Sequence, residues 1–153
     1  MATTIRGSDN FDSAFARSVA IIADVKAYNA NGGTFTQDAW QTRDLNTELS
    51  DPENIVTITS NQFTLQAGTY LVEWSAPVYD VNQNTSRLQN ITDSTTDAEG
   101  TSVYTSGVDD VANTSIGAGV ITIAPAKVFE IQHYCITTKT NNGFGVTTNV
   151  TGK

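Results

Sequence analysis

From Thr69 to Tyr79 the chain alternates side chains with a period of two. Tyr70, Val72 and Trp74 fall on one side of an extended backbone, with polar residues between them. A helix repeats every 3.6 residues and cannot hold such a set on one face. The same period recurs along the chain. Ser18 to Ala27 sets Val19, Ile21, Ala23 and Val25 on one face, and Ser115 to Ala124 does so with Ile116, Ala118 and Val120. Val128 to Thr138 aligns Phe129, Ile131, His133 and Cys135, and Phe144 to Val150 aligns Phe144, Val146, Thr148 and Val150. Turn residues separate these runs, notably Asn31-Gly32-Gly33, Asn61-Gln62, Gln66-Ala67-Gly68, Pro125-Ala126-Lys127 and Asn141-Asn142-Gly143. Shorter strands are expected at 34–45, 55–59, 63–65, 86–92 and 101–105, with polar loops at 47–54, 93–100 and 107–113. The pattern predicts an all-β sandwich, jelly roll or barrel of about ten antiparallel strands, with no amphipathic helix.

Composition supports this. The 153 residues include 24 Thr, 13 Asn and 11 Ser, against 16% charged residues. Threonine favours strands, and Asn, Ser and Gly favour turns. The length suits one domain with a substantial core. Residues 1–16 read as a polar N-terminal arm, with Ile5, Phe11 and Phe15 placed to dock on a neighbour, and residues 17–153 as the domain. The net charge of −8 argues against nucleic acid and against anionic membranes as partners. No apolar run is long enough to span a bilayer. One cysteine, Cys135, allows no intramolecular disulfide, and the start Met-Ala-Thr-Thr-Ile-Arg has no apolar leader. Synthesis in a reducing compartment is expected.

No catalytic set stands out. His133 and Cys135 share a strand face about 6.5–7 Å apart, beyond the hydrogen-bond reach of a nucleophile and its base, so they read as a buried Cys in the core and a His packed at its edge. One His and one Cys make no zinc spacing, and no cofactor is expected. The acidic groups Asp51/Glu53, Asp93/Asp97/Glu99 and Asp109/Asp110 read as solvated loop charge, and the 93–100 loop would be the one to suit calcium. Gly117-x-Gly119 lacks the lysine and helix of a phosphate loop and marks instead a close approach of strands or subunits. The Asn-x-Ser/Thr triplets at Asn84, Asn90, Asn113 and Asn149 carry no weight without secretion.

The segment Phe63-Thr-Leu-Gln-Ala-Gly68-Thr-Tyr70-Leu-Val-Glu-Trp74 resembles the globular heads of the complement and tumour-necrosis-factor-like superfamily. In those heads a short Phe strand and Gly-x-Tyr lead into a long alternating strand. The strands at 18–27 and 128–138, and the closing Asn142-Gly143-Phe144-Gly145-Val146, extend the likeness over residues ~18–150. Trp40-Gln-Thr-Arg43-Asp44-Leu45-Asn46-Thr47-Glu48 with Asp51-Pro52 is similar to small phage-encoded members, usually found among virion structural genes. No collagen-like stalk is present, unlike in the animal members. The resemblance implies a ten-stranded jelly roll closed into a homotrimer, with Tyr70, Val72, Phe144 and Val146 packing along the threefold axis. It implies a non-enzymatic virion protein made in the host cytoplasm, a capsid decoration (cement) protein bound to the major capsid protein. The other function it allows is the receptor-binding tip of a fibre that recognises a host glycan or protein through the 47–54, 93–100 and 107–113 loops. Trp40, if exposed, is the aromatic on which a sugar would stack.

Overall fold

The computed structural model describes residues 1–8, 17–106 and 109–147. Its strands form two antiparallel sheets packed face to face. The first sheet has five strands in the order β11 (Ala112–Ile123), β7 (Gly68–Tyr79), β1 (Ala2–Ser8), β2 (Arg17–Ala23) and β4 (Thr47–Ser50). The second has the path β10 (Val103–Tyr104), β8 (Gln83–Asn90), β12 (Lys127–Cys135), β6 (Gln62–Leu65) and β5 (Val56–Thr59). On this path β3 (Gln41–Thr42) also pairs with β12, and β9 (Thr95–Glu99) with β8. The chain crosses between sheets from β7 to β8 and from β11 to β12, as in jelly-roll-like sandwiches. The expected all-β sandwich is what forms.

The main core lies between the sheets. Ile5, Ile22, Leu65, Val72, Leu88, Phe129 and Ile131 are fully buried there. Phe63 and Phe129 stack across β6 and β12 with ring centroids 5.8 Å apart. Each such side chain contributes about 1.5–3 kcal/mol on burial. A smaller cluster of Phe35, Val78, Val81 and Cys135, with Phe144 against it, closes one end.

The abundance of Asn has a local cause. Asn29, Asn54, Asn61, Asn82 and Asn141 all hold positive φ, between 54° and 69°, at turns. Asn tolerates this left-handed region because its short amide bonds locally. The Ser60–Asn61 turn joins β5 to β6 with Thr59 opposite Gln62.

Four expectations are corrected. Residues 2–8 do not belong to a free arm. They form the central strand β1, paired with β2 on one side and β7 on the other. The 93–100 loop contains strand β9, whose alternation is hidden because both of its faces carry polar residues. The stretch 34–45 is mostly irregular, with only Gln41–Thr42 on β12, since its polar contacts go to loops rather than to a ladder. Residues 144–147 form no strand, and 148–150 lie outside the described residues.

Candidate functional site

Burial sorts the residues singled out in the sequence. Ile5 is fully buried opposite Val72 and Ala20, so it packs its own core rather than docking on a neighbour. Phe11 and Phe15 lie outside the described residues. Tyr70 and Val72 also point inward and offer almost no surface to another copy, which corrects their expected place on a threefold axis. Phe144 stacks on Phe35 at 4.3 Å between centroids. Of the four, Val146 alone is open to solvent, at 45% exposure. It lines a cleft of about 330 Å³ together with Asp24, Lys26, Tyr28 and Phe144. Lys26 there pairs with Asp24 at 3.1 Å and Asp44 at 2.5 Å, so its charge is already matched.

The strand period runs on through β7 and β11, and the outward set is unusual. Ile116 and Val120 on β11 are 59% and 71% exposed, with exposed Ala118 between them. Leu71 on β7 lies opposite Val120, and Glu73 opposite Ala118. Val19 and Ile21 continue the same face on β2. β11, β7, β1 and β2 together hold one acidic residue, Glu73, of the 16 in the chain. Four strands about 4.8 Å apart and some seven residues long make a face of roughly 400 Å² in projection. Ile116, Ala118, Val120 and Leu71 form an apolar stripe within that face.

Beneath this face the sheet is tied to its partner. Trp74 Nε1 donates to Ser86 Oγ at 2.8 Å, and Ser86 Oγ lies 2.7 Å from Ser115 Oγ. Ser115 Oγ donates to the Thr101 carbonyl. The close approach foreseen at Gly117 is that of the Trp74 ring, because a Cβ on Gly117 would stand 1.9 Å from Trp74 Cζ2. Gly119 is tight against the Ala98 Cβ of β9.

The single histidine and cysteine are interior. His133 is fully buried, 5.0 Å from the Phe35 ring. Asn84 donates its amide to Asn82 and Val103 carbonyls, so its Oδ1 accepts from His133 Nε2 at 3.0 Å. Nδ1 then carries a bare lone pair, with no partner among the described residues. Burial, reinforced by the Arg43 charge, holds the His133 pKa well below its ordinary value. Burial pushes the Cys135 thiol up to about 11, which suppresses the nucleophilic thiolate.

Arg43 was not recognised from sequence as an interior residue. It is 2% exposed. Its Nη2 donates to the Phe144 carbonyl at 3.1 Å and its guanidinium lies 4.4 Å over the Phe144 ring. Burial lowers its pKa to about 10. No period marks it, since an arginine in an irregular stretch reads as surface.

The acidic loops spend their oxygens on the loops themselves. Asp51 accepts from the Ile55 and Val56 amides, Asp93 pairs with Lys127 at 2.6 Å, and Asp97 accepts from Asn90 and Thr95. No group of three metal-ligating side chains is found among the described residues.

Comparison of the chain with known protein families, with curated proteins and with solved structures found no match. The site therefore has to be read from its own geometry.

Proposed function

We propose that this chain is a structural, non-enzymatic protein of a phage virion, a homotrimeric decoration protein that binds the major capsid protein and stabilises the head. The observation that carries this reading is the outward face of the five-stranded sheet. Ile116, Val120 and their neighbours form an apolar stripe on strands that hold one acidic residue, in a chain of net charge −8. Copies of an acidic protein repel one another least where acidic residues are sparse, so this face is where a second copy approaches at least electrostatic cost. Burying it removes exposed apolar area at about 25 cal/mol per Å². Closed symmetry then makes the contact self-limiting. The axial role expected of Tyr70 and Val72 passes to their outward neighbours, Leu71 and Val120. The similarity of residues 40–52 to small phage virion proteins supports the site of action. A ligand that binds only the assembled shell stabilises it by mass action.

Light scattering after size exclusion tests the assembly. The expected mass is three times 16.4 kDa, or 49.2 kDa, and a 16.4 kDa species would remove the trimer. Mixing with purified heads tests the function. Co-sedimentation with heads, and a higher temperature of head disruption, are expected. Free protein left wholly in the supernatant would refute decoration.

A further inference from the structure

The outward face of the seven-stranded sheet is built on a different plan. Trp40 precedes β3, and the pairing of β3 with β12 brings its indole beside Tyr134, with centroids 5.6 Å apart and planes inclined by 56°. The Arg87 guanidinium lies 4.0 Å from the indole centre. With one face covered in this way, Trp40 is still 38% exposed. Arg87 is fixed in turn. Its Nε and Nη2 donate to Gln132 Oε1 and its Nη1 to Thr96 Oγ1. Gln132 Nε2 donates to Glu130, which also accepts from Thr42 Oγ1 and Gln62 Nε2, each at 2.9 Å.

These groups form one connected polar layer beside an open aromatic ring. The bonds to Gln132 and Thr96 hold the guanidinium over one face of the indole. The Tyr134 hydroxyl donates to Asp38 at 3.3 Å and keeps acceptor capacity. Every one of these side chains is held by another on rigid strands, so little ordering is lost on binding. An aromatic ring backed by a fixed guanidinium and flanked by a tyrosine hydroxyl is complementary to a pyranose, which shows C–H bonds on its face and hydroxyls at its rim. The charge around the ring selects further. Arg87 is outnumbered by Glu130, Glu99 and Asp38, so an anionic sugar is repelled and a neutral one is not.

We propose that the surface around Trp40 is a binding site for a neutral saccharide. The indole stacks on a sugar ring on the side away from Arg87, and Tyr134 bonds a hydroxyl at its rim. The site lies over the outer face of the seven-stranded sheet, with Trp40 brought to it by the irregular stretch before β3, and it stands independently of trimer assembly.

The test uses the full chain on an array of neutral, sialylated and sulfated oligosaccharides, at about 0.1 mM protein to capture a weak site. A neutral glycan retained on the array is then titrated in solution by tryptophan emission. Trp74 is buried and bonded to Ser86, so a ligand-dependent shift reports on Trp40. Neutral glycans are expected to be retained. Trp40→Ala should weaken binding roughly tenfold or more, while Trp40→Phe, which keeps a ring, retains part of the affinity. Thermal unfolding of both variants should stay close to that of the parent, since the ring is exposed. The proposal is overturned by no retained neutral glycan, by retention of anionic glycans alone, or by an affinity that Trp40→Ala leaves unchanged. Loss of binding in both variants together with early unfolding is separated by Tyr134→Phe, which removes one hydroxyl. A folded Tyr134→Phe chain that binds as tightly as the parent would also count against the site.

Discussion

The two outward faces of the sandwich satisfy their side chains in opposite ways. On the five-stranded sheet, Ile116, Ala118, Val120 and Leu71 stand without polar partners, and the strands carrying them hold one acid. On the seven-stranded sheet, Arg87, Gln132, Glu130, Thr42 and Gln62 bond to one another across four strands. The first face gains by being covered, because its apolar area stays hydrated until something removes the water. The second is already satisfied and gains only from a ligand that adds bonds without breaking any. One face is suited to permanent association, the other to reversible recognition.

The largest expected effect comes from charging the first face. Val120→Asp should convert a 49.2 kDa assembly to a 16.4 kDa chain, because an unpaired carboxylate in a buried contact costs several kcal/mol. The residue is exposed in the single chain, so its circular dichroism should be unchanged. A variant that keeps the full mass would show that this face is not the contact.

Next in size is a change to the wall between the faces. Gly117→Ala drives a methyl into the Trp74 ring and should cost about 3 kcal/mol, at the upper end for overpacking, read as a lower urea midpoint at constant slope. An unaltered midpoint would mean that the indole and its bond to Ser86 shift freely.

Acidification separates the interior from both faces. His133 is held neutral in the folded chain, with a pKa well below the ordinary 6.5. Below about pH 6.5 the unfolded chain takes up a proton that the folded chain refuses. Stability is therefore complete above that pH and falls as pH drops toward the folded value, by up to about 1.4 kcal/mol per unit. Asp80 has its pKa lowered by Lys139 and the Val111 amide, although burial opposes them, so its contribution is lost only below the carboxylate range. Urea midpoints between pH 7 and 5 thus report on His133 together with the Met1 amine, whose pKa burial also lowers. In His133→Gln that slope should flatten, and a slope that persists would assign the titration elsewhere.

The smallest effect is expected on the polar layer. Glu130→Gln keeps the shape and lets Gln62 turn its amide to pair again, so the loss should be about 1 kcal/mol or less. The mass should not change. A larger loss, or a change in assembly, would mean that the two faces are coupled.

Much of this could be read along the chain. The alternation in residues 69–79 and 128–138 marked β7 and β12, and the Asn-rich punctuation marked turns that do adopt positive φ. The inward position of Cys135 followed from its strand face, while His133, expected at the edge of the core, is fully buried. β9 escaped notice because a strand wet on both sides has no apolar period. β1 was read as an arm because its Thr and Arg residues resemble a solvated terminus, and only its two partner strands reveal it as central. Arg43 was missed because a buried cation has no local sequence signal, and Trp40 stood out only as an aromatic among polar residues.

By itself, the sequence determined which residues share a face. A period of two follows from the pleat of an extended backbone, and it grouped Tyr70 with Val72 and Ile116 with Val120. Which of those faces looks inward was decided by tertiary structure alone. Tyr70 and Val72 turned into the core, while Ile116 and Val120 turned out of it, although all four are apolar and sit in paired neighbouring strands. A local period is blind to that choice. It depends on which sheet packs across the sandwich, and on the room that Gly117 leaves for the ring of Trp74.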